Sequence, residues 1–174
     1  MNALAGPAEQ CRDLLSLLDR AAAGLEDRHV AVEPMPGTKT AGWLLGHLAV
    51  TGDFALRLCG HTPLCPPEWR ALFNPGTHPS SDPAIYPPIA ALRDTAHAVY
   101  ARLSAIAPDT EPARLAVVNP YAPARSSFPT AGGFVGYLLS GHLAYHLGQL
   151  VAWRAVAGVP TPGTSATQQS PARA

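Results

Sequence analysis

His142 and His146 stand four residues apart within the strongly apolar stretch Ala131 to Ala157. On an α-helix that spacing offsets two side chains by about 40° around the axis, so both imidazoles can reach one ion. Their stripe also takes in Leu138, Tyr145, Gln149 and Trp153, which predicts that the pair faces the interior. A third histidine, His47, shares an inward stripe with Leu44, Leu48, Thr51, Ala55 and Leu58 in another periodic segment, whereas Asp53 and Arg57 fall away from it. Three neutral imidazoles on two facing helices suit zinc, nickel or another borderline divalent ion, and they leave at least one coordination position free. A thiol or water taken up there has its pKa lowered by the ion, so no protein base is required.

The same HxxxH spacing serves zinc proteases, but there a glutamate follows the first histidine as general base. Leu143 occupies that position and the intervening Leu143-Ala144-Tyr145 offers no carboxylate, which argues against peptide hydrolysis. The competing structural explanation is that buried histidines simply hydrogen-bond to backbone carbonyls. His61, His78 and His97 fall in or near loops or on a helix flank, with no spacing that supports a shared ion. Cys11, Cys59 and Cys65 are odd in number and lack CxxC spacing, so they read as reduced thiols rather than as a disulfide framework or a zinc knuckle.

The elements that must position these histidines follow from periodicity. A first amphipathic helix is expected over Pro7 to His29, with Cys11, Leu14, Leu15, Leu18, Ala22 and Leu25 on one face. Thr40 is the expected N-cap of a second helix, Ala41 to Cys59, which Gly60 ends. A third, Ile89 to Ile106, stops before Pro108, and a fourth, Ala131 to Ala157, stops at Gly158 and Pro160. The connections 61–88 and 107–129 are crowded with proline and are expected as long crossovers; Leu115 to Val118 has strand character but no clear pairing partner and is kept as loop. The reading is an all-α four-helix bundle over residues 1–160 with two proline-rich crossovers, followed by a flexible tail, 161–174.

Composition narrows the partners. The 174 residues fit one core, with 47% hydrophobic and 14% charged residues, and acidic and basic side chains balance. With no net field, nucleic acid and an anionic bilayer are not expected partners. Phe134 to Trp153 lacks formal charge and overlaps a GxxxG pair, Gly132 and Gly136. Ser140, His142, His146 and Gln149 interrupt that run, so a buried helix is expected rather than a membrane span. Met1 to Gln10 has neither the basic nor the apolar part of a secretory signal, and the expected location is the cytoplasm.

Two segments carry a resemblance. Gly42-Trp43-Leu44-Leu45-Gly46-His47-Leu48 resembles the second-helix motif of the DinB/YfiT-like superfamily of metal-binding four-helix bundles, in which the histidine contributes the first ligand. His142-Leu143-Ala144-Tyr145-His146-Leu147-Gly148-Gln149-Leu150 resembles its last-helix HxxxHxGQ pattern, whose histidines complete the triad. The likeness extends from the first helix to about Pro160 and leaves the two long connections uncovered. It implies that His47, His142 and His146 are metal ligands and that Gln149 lies beside the site, next to a bound cofactor. Members of the superfamily include transferases and isomerases that use bacillithiol, mycothiol or glutathione, alongside bundles with no assigned activity. The expectation is therefore a metal-dependent thiol transferase acting on a small electrophile with a low-molecular-weight thiol. The alternative is a metal-binding stress or assembly protein without turnover. A homodimer is expected from the apolar excess.

Overall fold

In a computed structural model the chain is described over residues 3–160, and the expected tail 161–174 lies outside the described residues. Those residues are all-helical, with no named strand among them. Long helices α1 (Ala5–Ala22), α2 (Ala41–Leu58) and α4 (Ile89–Ile106) alternate with short helices α3 (Trp69–Phe73) and α5 (Pro112–Ala116) in the connections. The last helical stretch is made of α6 (Ala131–Tyr137), a π-helical turn over Leu138–His142 and α7 (Leu143–Val156).

Packing follows the apolar faces. α2 lies along α4, α4 along α1, α1 along α7, and α7 returns to α2. Between them lies one core that includes Cys11, Leu18, Leu44, Leu48, Leu92, Val99, Leu103, Leu139 and Leu147, all fully or almost fully buried. Nearly all of α2 is covered, from Ala41 to Asp53 without a break. No helix among the described residues is long and apolar enough to cross a membrane.

Helix ends obey local chemistry. The Thr40 hydroxyl accepts the Trp43 N–H at 3.1 Å and starts α2, while Gly60, at φ +86°, ends it. The first helix departs from its expected span: it stops at Ala22, the chain turns at Gly24 with φ +69°, and Asp27–His29 becomes a separate 3-10 turn. A buried arginine secures this junction, because Arg154 on α7 donates to the carbonyls of Ala21 at 3.0 Å and Ala23 at 2.7 Å and also to that of Pro160. Periodicity could not reveal that junction, since Leu25 continues the apolar face and is itself buried.

The two connections are ordered by specific bonds. Asp53, which falls away from the inward stripe of α2, is nevertheless 1% exposed; its carboxylate accepts the backbone N–H groups of Leu64 at 2.6 Å and Cys65 at 3.3 Å and so fixes the path of segment 61–88. In the second connection Asn119 is buried, takes part in backbone bonding to Pro129 and donates from its side chain to Phe128 O at 3.0 Å. The strand character of Leu115 to Val118 resolves into α5 and one isolated antiparallel bridge, Val118 to Thr130.

Candidate metal centre

The three histidines converge from elements far apart in sequence. His47 sits midway along α2, His142 ends the π turn and His146 lies one turn into α7. They are 4%, 9% and 8% exposed, and one candidate nitrogen from each lies within 4.8 Å of the others. Nε2 of His47 is 3.3 Å from Nε2 of His142, close to the edge of about 3.3 Å that two imidazoles share on a tetrahedral ion with bonds of about 2.0–2.1 Å.

The outer nitrogens show which lone pairs are available. His47 Nδ1 is 2.7 Å from the carbonyl of Phe73, which can only accept, so the proton is on Nδ1 and the lone pair on Nε2. His146 Nδ1 is 2.7 Å from Gln149 Oε1, and the Gln149 amide in turn donates to the Tyr145 hydroxyl at 3.1 Å. That chain fixes the His146 tautomer in the same sense. His142 Nδ1 is buried without a hydrogen-bond partner among the described residues. Satisfaction by backbone carbonyls therefore accounts for His47 alone, and the donor set fits one divalent ion.

Electrostatics keeps the rings neutral. Burial pushes His47 down to about 4, against the opposing pull of its bond to Phe73, and the neighbouring His146 and Lys39 push it further down. Burial, followed by the repulsion of His146 and His47, takes His142 down to about 2. His146 is lowered too, mainly by burial, with the Gln149 bond acting the other way. At neutral pH all three offer lone pairs rather than protons.

Several residues hold the triad without touching the place where an ion would sit. Trp43 stacks on His47 with centroids 4.5 Å apart and planes 10° apart, and its indole N–H donates to Thr77 at 2.9 Å. Lys39 lies 4.0 Å over the Trp43 ring. Gly46 brings Phe73 onto α2: a Cβ there would meet the Phe73 ring at 2.5 Å. Beside His142, Phe128 stacks on Tyr137 at 4.5 Å, and Tyr137 meets His142 edge-on at 5.7 Å. Phe73, Thr77 and Phe128 lie in the connections, where no periodic pattern marks them. Tyr145, expected to point inward, is 61% exposed and acts through its hydroxyl on Gln149.

Other sequence candidates stay apart from the centre. His97 faces Asp19 at 3.6 Å, His78 is exposed and His61 half-buried. Cys11, Cys59 and Cys65 are buried and free, and burial pushes the thiols of Cys11 and Cys65 up to about 12. Such thiols are inert near neutral pH. Gln149, besides holding His146, borders a cavity of about 380 Å3 with Lys39, Leu44 and Trp153.

A family model described as the DinB superfamily matches residues 10–150 of the chain. No curated protein matches it.

Proposed function

The chain belongs to the DinB superfamily, and on that premise we propose that His47, His142 and His146 ligate a divalent ion, zinc or nickel, in a thiol transferase acting on a small electrophile. The observation that carries the reading is the set of three buried ring nitrogens facing one another, with two of the outer nitrogens committed to Phe73 and Gln149. The mutual packing of α1, α2, α4 and the last helical stretch is read as the four-helix bundle of the superfamily. A divalent ion in such a site lowers the pKa of a thiol that it binds.

The chain's own residues supply position and exclusion. Phe73 and Gln149 hold two rings in the tautomer that leaves Nε2 free. Trp43 packs on His47 and Tyr137 on His142. Among the described residues no carboxylate joins the histidine group, and we read the three rings as ligands rather than as bases. The overall transfer joins the sulfur of a low-molecular-weight thiol to an electrophilic carbon as a bond at that carbon breaks; the thiol proton goes to solvent, and the displaced electron pair leaves with the leaving group or, in an addition, takes up a proton from solvent.

A second reading, metal binding without turnover, is favoured by the low exposure of the triad, at most 9%. Elemental analysis of untagged wild type and His142→Ala comes first: about one zinc or nickel per wild-type chain, lost in the variant, is expected. Thiol consumption is then followed with model electrophiles. Metal-dependent consumption supports the transferase, metal without consumption supports the second reading, and no metal after reconstitution sinks both. The expected homodimer belongs to the same proposal: α7 exposes Tyr145, Val151 and Val156. Light scattering at rising concentration tests it.

A further inference from the structure

A cavity of about 280 Å3 lies one helical turn from the triad, and two cationic side chains, Arg57 and Arg70, take part in its lining. Its apolar walls include Phe54, Tyr121, Phe134 and Leu138. Thr51, also on its wall, donates its hydroxyl to the carbonyl of His47 at 2.7 Å, and Leu138 precedes His142 by one turn. The volume suits a fragment-sized molecule rather than a nucleotide or a peptide.

Neither arginine forms an ion pair among the described residues. Among the described residues the ion pairs are Arg28 with Glu26, Arg93 with Asp94 and His97 with Asp19. Asp53, one turn before Arg57, uses Oδ1 to accept the backbone N–H groups of Leu64 and Cys65. Glu111 borders the neighbouring cavity and pairs with neither arginine. Arg57 Nε is shielded from solvent without a hydrogen-bond partner among the described residues, and the guanidinium lies 5.4 Å over the Phe54 ring. A donor nitrogen shielded in this way is costly to leave unpaired, and a ligand that accepts from the guanidinium completes it.

We propose that this cavity binds a small aromatic carboxylate, its ring between the aromatic walls and its carboxylate on Arg57 and Arg70. Planar guanidinium forks match a carboxylate, and the flat, apolar walls match an arene better than a hydrated inorganic anion. Only the assignment of this ligand as the molecule presented to the centre rests on the transferase reading; recognition of the anion stands on the cavity alone.

The probe is para-fluorobenzoate, followed by fluorine NMR, with the neutral isostere para-fluorobenzamide as control. Both are titrated into metal-stripped full-length protein at low chloride, so that direct ligation of an ion by the carboxylate cannot produce the signal. The carboxylate is expected to bind at least about tenfold more tightly than the amide, and Arg57→Gln or Arg70→Gln to weaken it by about tenfold each while the amide is unchanged. Equal binding of the two probes to the wild type overturns the proposal without recourse to any variant. Loss of binding in Lys39→Gln, with the arginine variants unaffected, overturns it as well and places the anion in the cavity beside Gln149. Anion binding without thiol turnover leaves this inference standing and removes the transferase; turnover without preference for the anion does the reverse.

Discussion

At the scale of single residues, the centre depends on where protons sit on three imidazoles. Gln149 has no other evident duty on its His146 side than to accept one N–H, and its amide is steadied by Tyr145. Gln149→Leu should therefore leave one ion per chain but weaken its affinity about 10- to 100-fold, read by competition with a chromophoric chelator. An unchanged affinity would mean that His146 is oriented by packing alone. The HxxxHxGQ spacing made this pair legible in the sequence, because residues three apart on a helix are neighbours. The Phe73 carbonyl, which does the same for His47, carries no side-chain signature at all. Burial also sets a pH dependence. His47 and His142 lie below their ordinary value of 6.5, at about 4 and about 2, so the unfolded chain binds more protons than the folded one between those limits. Their contribution to the stability of metal-free protein is complete above pH 6.5 and is lost as pH falls through 6.5 toward 4, continuing toward 2. Urea midpoints should be flat from pH 8 to 7 and drop below 6.5, with a shallower drop in His142→Phe. A flat profile down to pH 4 would show that the rings are not held neutral by burial.

At the scale of elements, α2 is the plate on which the centre is mounted, and its small residues decide what can approach it. Gly46 admits the Phe73 ring to a distance that no Cβ would tolerate, and Phe73 brings with it the carbonyl that anchors His47. Gly46→Ala should cost about 1–3 kcal/mol by overpacking and also weaken metal binding, since the ring and the carbonyl move together. Chemical denaturation gives the first quantity and chelator competition the second; a stability loss with metal affinity intact would uncouple Phe73 from the centre. The long helices were legible because their apolar stripes recur at helical spacing and Thr40, Gly60, Pro108 and Gly158 punctuate them. What was not legible is held by polar groups acting over long separations. Asp53 looks like a solvent residue by its type, yet it is buried to fix the loop eleven residues on. Arg154 likewise ends α1 from 133 residues away. The π turn at Leu138–His142, hidden in an apparently continuous helical pattern, sets the phase between Tyr137 and His142.

At the scale of the molecule, the centre joins pieces that the chain order keeps apart. His47 and His142 are 95 residues apart, and between them run both long connections and α4. An ion bound by all three rings ties α2 to the last helical stretch and is bound by the folded chain far more tightly than by the unfolded one, so its binding energy becomes folding energy. At a free concentration of about 100 times Kd the gain is about 2.7 kcal/mol, which for a chain of this size raises the melting temperature by roughly 5–10 °C. Calorimetry of stripped protein with added zinc or nickel should show that rise in the wild type. It should be absent in His142→Ala and smaller at equal metal in Gln149→Leu, because weaker affinity lowers the ratio of free metal to Kd. A rise of equal size in His142→Ala would locate the stabilising ion elsewhere, and no rise in any variant would leave the three imidazoles as a packed core cluster. The two outcomes separate because a rise that survives His142→Ala needs an ion held by other residues, whereas no rise in any variant needs no ion at all.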